Sequence, residues 1–161
     1  MLTKATMMSL LHGYLTPPQR RIWKRRFQGL TQADISRTLN VTRQTVNRAV
    51  TTIDAKVSRA LTEAAQLHGV ETRRLDPLKG YLLGYSSRLK TEVLMTFSSK
   101  NGVQVWYRGE GECGSCSRLE ECTRILLSEA EERDIELAEE DKAGPPSKLA
   151  EKLFTRILEE D

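Results

Sequence analysis

Apolar positions in the middle of the chain recur at a helical interval. Val46, Val50, Ile53, Val57, Ala60, Ala64 and Leu67 are separated alternately by four and three residues, which places them on one stripe of an α-helix. Thr42 suits the cap of that helix and Gly69 is the first stop, so the pattern predicts one element over 42–68, roughly 40 Å long at 1.5 Å per residue. So long a stripe needs a surface to lie against. Its heptad spacing, with alanines at two positions, suits a second copy of the same helix, and a homodimer joined along this seam is expected. Packing on helices of the same subunit, or a break near residue 51, is the alternative.

Upstream, polar caps and stops divide the chain into two shorter helices. Thr16 precedes Pro17 and Pro18, the residues suited to a first turn, and Gly29 follows Phe27 and Gln28 as a terminator. Thr31 caps a second helix running to Leu39, and Asn40 tolerates the left-handed conformation of a helix stop.

Downstream of Gly69 the period changes. In "LDPLKGYLLGY", Asp76 and Pro77 read as the cap and first position of a short helix ending before Gly84. Two β-prone runs, 92–98 and 103–108, flank Asn101-Gly102 and predict a hairpin. A helix is expected from about Ser117 to Glu140, then the linker "DKAGPPSK" and a last amphipathic helix carrying Leu149, Leu153, Phe154, Ile157 and Leu158. The expected fold is mainly α with a small β-hairpin. Its parts are a helix-turn-helix with the long dimerisation helix over 1–68, a C-terminal α+β cysteine-containing domain over 69–140, and a linker with the final helix over 141–161.

Charge changes this picture more than composition does. Residues 1–80 carry 14 Lys and Arg against 5 Asp and Glu, whereas 81–161 carry 11 against 17. A basic front half reads as a polyanion-binding region and the acidic back half as something that need not touch the polyanion. No run approaches 18 apolar residues and "MLTKATMMSLLHGYL" lacks a secretory pattern, so a cytoplasmic location with reduced thiols is expected.

The segment "LTQADISRTLNVTRQTVNRAV", Leu30 to Val50, preceded by "LTPPQRRIWKRRFQG", resembles the helix-turn-helix of sigma-factor region 4 and of LuxR-type regulators. The resemblance covers about the first 50 residues. Ile35, Leu39, Val41 and Val46 would be the apolar contacts between the two helices, Ser36 the small residue that lets them approach, and Asn40 stands where glycine is commonest. In that frame Val46 and Ala49 face inward, and Arg43, Gln44, Asn47 and Arg48 face out with forks that match guanine and adenine edges. Thr31, Gln32 and Thr42 sit at helix N-termini, where free amides suit a phosphate. Arg20, Arg21, Lys24, Arg25 and Arg26 add a basic cluster, part of it simply solvated.

All three cysteines lie in "GECGSCSRLEECTRIL", as Cys113, Cys116 and Cys122 in a C-x2-C-x5-C arrangement, with Gly111 and Gly114 giving the loop freedom to wrap an ion. This spacing resembles the last three ligands of the iron-sulfur loop of endonuclease III-type DNA glycosylases. The position of that family's first cysteine is Trp106 here. The cysteines are therefore candidate ligands of one metal centre, either a [4Fe-4S] cluster, which three thiolates and another group can hold, or Zn2+ with a fourth ligand among His12, His68, Glu110 and Glu112. A redox thiol pair or small packed residues is the plainer reading.

The function expected is a sequence-specific, DNA-binding transcription regulator with a redox- or metal-responsive cysteine centre. Its alternative keeps the DNA-binding front and gives the back half a structural zinc and the recruitment of partner proteins. A nucleic-acid enzyme related to the glycosylases is disfavoured, because no lysine and aspartate pair stands at an identifiable catalytic position.

Overall fold

A computed structural model of the chain describes residues 15–109 and 112–159. The chain divides into two compact units after Arg108. Among the described residues no helix is long and apolar enough to cross a membrane.

The first unit begins with three helices whose ends are set by the caps noted above. In α1, Pro17–Arg26, the Thr16 hydroxyl accepts from the Gln19 amide and the Gln19 side chain accepts from the Thr16 amide at 3.0 Å, a reciprocal pair that satisfies two amides the helix leaves open. In α2, Gln32–Leu39, Asp34 makes the same exchange with Thr31, and Asn40 ends the helix in the left-handed conformation at φ 52°. Helix α3, Arg43–Leu67, is capped by Thr42 and continues unbroken through residue 51. Gly69, at φ +62°, releases the chain into the sheet.

Four antiparallel strands follow as a meander in the order β1-β2-β3-β4, with β1 at Glu71–Asp76, β2 at Tyr81–Ser86, β3 at Thr91–Ser98 and β4 at Gly102–Tyr107. The β3–β4 hairpin turns at Asn101-Gly102, with Gly102 at φ +69°. The helix expected after Asp76 is instead the β1–β2 hairpin. The Asp76 carboxylate accepts from the Lys79 amide at 3.0 Å, so Asp76-Pro77 closes a turn rather than starting a helix. Gly80 at φ +70° completes it. Tyr81 to Tyr85 then alternates as a strand because β3 supplies a partner along its whole length. The architecture is mixed α+β, with a full sheet where a small hairpin is expected.

One row of the sheet, Leu75, Leu82, Met95 and Val105, is in register across all four strands, and its alternating neighbours Val93, Phe97 and Val103 share that face. This face and α1 cover α3. Val46, Ile53, Val57, Ala60, Leu61, Ala64 and Ala65 of α3 are buried together with Ile22, Trp23 and Ile35. The seam that predicts a homodimer is thus covered inside one chain, its alanines admitting strands rather than a second helix, and Leu67 at its end is exposed. Trp23 meets Phe27 and Phe97 edge-on, with ring centroids 5.1 and 5.4 Å apart, joining α1 to β3. Arg26, one of the basic cluster on the first helix, is a clamp. Its guanidinium donates to Asp54 at 2.7 Å and to the Leu78 carbonyl at 3.3 Å, and lies over the Trp23 ring.

In the second unit a one-turn 3-10 helix, Cys113–Ser115, leads into α4, Leu119–Glu132. The single helix expected to Glu140 stops there because Asp134 takes the left-handed conformation at φ 56° and the Ile135 amide folds back to the Ala130 carbonyl. A short α5, Glu139–Ala143, and the amphipathic α6, Pro146–Leu158, follow. Helices α4 and α6 pack together, and Ile125, Leu126 and Ala130 of the one and Leu149, Leu153 and Ile157 of the other are buried.

Gly84 sits where β1 and β2 of the first unit approach closely. A methyl group there would run into the Val70 side chain and stand 2.6 Å from the Glu71 carbonyl oxygen, at the point where β1 slips register between Thr72 and Arg74. Gly84→Ala is expected to destabilise the first unit by about 1 to 3 kcal/mol, read as a lower midpoint in urea unfolding with an unchanged slope.

Candidate nucleic-acid interface and cysteine loop

The first two turns of α3 present a polar surface held on an apolar base. Val46 is fully buried, Ala49 and Val50 are packed against the core, and Arg43, Gln44, Asn47 and Arg48 are exposed. Positions 43 and 47, and 44 and 48, are each one turn apart, so the four side chains form two adjacent rows on one side of the helix. Neither Arg43 nor Arg48 makes an ion pair among the described residues. The Asn47 amide donates to Gln32 Oε1 at 3.3 Å, so a residue at the start of α2 orients a residue in the middle of the exposed rows. That link was not legible in the sequence, because 15 positions separate the two residues.

The three helix-start candidates differ in what their helix ends already hold. At α3 the Thr42 hydroxyl accepts from the Thr45 amide, and the first turn holds no acidic residue, which leaves the positive end of the helix dipole uncompensated. At α2 the Thr31 hydroxyl both accepts from the Asp34 amide and donates to the Asp34 carboxylate at 2.6 Å. Hydrogen bonds from Thr31 and Arg37 hold that carboxyl below its ordinary pKa. The N-terminus of α2 therefore already carries a carboxylate charge, and it suits a phosphate less well than that of α3. The T-x-x-D spacing of a capping box was the available signal. Val41, expected between the helices, is instead exposed.

In the cysteine loop the Cys116 amide donates to the Cys113 carbonyl at 3.2 Å, and the Leu119 amide donates to the Cys116 carbonyl at 3.2 Å, so two tight turns carry the chain into α4. Cys122 lies in the first turn of that helix. Cys116 is exposed, and Cys113 and Cys122 are half-buried. Burial pushes the Cys122 thiol above its ordinary pKa; the nearby Arg118 guanidinium opposes this, while Cys116, Glu121 and Cys113 add to it. Arg118 donates to the Glu121 carboxylate at 3.1 Å, which raises the guanidinium pKa further. The three thiols thus share one neighbourhood, yet among the described residues no group of three or more His, Cys, Asp or Glu side chains is placed to hold a metal ion. Of the candidate fourth ligands, His68 lies 3.3 Å from the Tyr107 hydroxyl in the first unit, Glu112 is exposed, and His12 and Glu110, like the loop's Gly111, lie outside the described residues. Among the described residues, these donors do not make a closed set for either an iron-sulfur cluster or Zn2+.

No protein-family model, curated protein or solved structure matches the chain.

The raised pKa of Cys122 has a direct chemical readout. The thiolate is the reactive form, so in the metal-free protein near pH 8 iodoacetamide should modify Cys122 more slowly than the exposed Cys116, with the gap narrowing as pH rises. Peptide mass spectrometry over time reads this order, and equal rates at pH 8 would contradict the burial argument.

Proposed function

We propose that the first unit binds duplex DNA in a sequence-dependent way through the exposed rows of α3, and that the protein acts as a transcription regulator. The observation that carries this reading is the set Arg43, Gln44, Asn47 and Arg48, exposed on one side of a helix whose other side is fixed in the core. Support comes from the short connection through Asn40 between α2 and α3, from the basic balance of residues 1–80, and from the resemblance of Leu30 to Val50 to helix-turn-helix domains. Arg43 and Arg48 supply guanidinium forks suited to guanine, and Asn47, oriented by Gln32, an amide suited to adenine. The Thr42 end of α3 offers amides to a backbone phosphate.

The acidic second unit is then the responsive part. Its three cysteines act as a thiol centre whose redox or metal state changes DNA affinity, and a metal would require the loop to close around it with a further donor. A coupling of about 1 to 3 kcal/mol between such sites changes affinity by roughly one to two orders of magnitude.

Selection of bound duplexes from a randomised pool, followed by titration, tests the first part. Arg43→Ala should cost about 1 to 3 kcal/mol at the preferred site and relax the preference at one base pair. Equal loss on all sequences would make Arg43 a phosphate contact, and a pool without enrichment would end the sequence-specific reading. Metal analysis and visible absorbance of anaerobically purified protein, with DNA titration of Cys116→Ser, test the second. Absence of iron and zinc leaves only a thiol role, and DNA affinity unchanged on oxidation, metal loss or substitution removes the coupling.

A further inference from the structure

Helix α1 carries a second charged surface apart from the exposed rows of α3. Arg20, Arg21, Lys24, Arg25 and Gln28 recur along one side of α1 and the turn after it, and with Ser99 from the β3–β4 turn they line an open groove of about 370 Å³. The opposite side of α1 is committed to the core through Ile22, Trp23 and Arg26. The groove therefore has four cationic side chains, an amide and a hydroxyl, and no carboxylate. Arg21 and Arg25 make no ion pair among the described residues.

We propose that this groove is a second polyanion site, taking the phosphates of one nucleic-acid strand beside the stretch read by α3. Three features favour phosphate. The lining supplies hydrogen-bond donors and positive charge, the pair of properties that phosphate contacts use. It lacks the aromatic or aliphatic anchor around which protein interfaces concentrate their binding energy. From Arg20 to Arg25 the helical part of the groove rises roughly 8 Å at 1.5 Å per residue, a length over which one strand presents about two phosphates at 3.4 Å of duplex axis each. Its position suits flanking backbone rather than bases. Lys56 donates to Gln19 at 2.9 Å and Arg26 to Asp54 at 2.7 Å, which seats α1 beside α3 roughly 9 Å along the helix beyond Arg48. The contact would add affinity without adding base preference.

The proposal rests on duplex binding by α3, and the test separates the two. The full chain, Arg43→Ala, the double variant Arg21→Ala/Arg25→Ala and its charge-preserving counterpart Arg21→Lys/Arg25→Lys are titrated against two duplexes of about 30 base pairs, one holding the selected site and one scrambled, from about 50 to 300 mM salt. The double alanine variant should lose roughly tenfold in affinity on both duplexes alike, with the slope of log affinity against log salt shallower by about 1 to 2. The lysine pair should stay near the native slope. Circular dichroism melting checks that the substitutions at Arg21 and the half-buried Arg25 leave the fold intact. If the double alanine variant keeps native affinity and slope while Arg43→Ala still loses the selected site, the groove is not a phosphate site and its charge is left for an acidic protein surface. Loss confined to the selected duplex would also overturn the proposal. If the native chain shows no preference between the duplexes, yet Arg21 and Arg25 still set its salt slope, the groove stands and base reading by α3 falls.

Discussion

The burial of α3 is the constraint on which the first unit depends. A helix of 25 residues gains little from propensity alone and is held by the apolar surface it covers. Here that surface comes from α1 and α2 on one side and from a sheet face on the other. Ala60 and Ala64, fully and nearly fully buried, are where the backbone of α3 can come close to the strands. Larger residues there would overpack the core that they share with Met95 and Phe97.

That burial also sets the character of the candidate interface. The exposed polar rows at the start of α3 are presented by a helix whose later turns are buried in the core. The Gln32 to Asn47 hydrogen bond and the Arg26 clamp to Asp54 add polar constraints from α2 and α1. Side chains placed in this way lose less freedom on meeting a partner than side chains on a loop.

The helices of the first unit were legible because their boundaries are written in local chemistry. Thr16, Thr31, Thr42, Asn40 and Gly69 each act through neighbours a few residues away. The sheet was half legible. Asn101-Gly102 identifies its hairpin from two residues, whereas Asp76-Pro77 is compatible with both a helix start and a turn, and only the β2–β3 pairing decides between them. The same limit applied to the seam of α3, whose period gives an apolar stripe but not what lies on it. Leu61 and Ala65, buried off the seam, mark a wider contact than a two-helix interface. At the site, the exposed side of α3 follows from period alone, and the Asp34 carboxylate at the start of α2 could have been read from its spacing to Thr31. The mutual placement of the cysteines depends on two backbone turns that spacing does not specify.

The continuity of α3 has a mechanical meaning. One end carries the exposed arginines and the other lies on the strands, with no break, glycine or proline between Arg43 and Leu67. A rod of this length, about 37 Å at 1.5 Å per residue, converts a tilt of roughly 5° at the sheet into a displacement of about 3 Å at its tip. Base-edge hydrogen bonds tolerate far less than that. Substitutions in the sheet core that merely change how the rod is seated could therefore retune what its far end recognises while leaving every exposed residue unchanged.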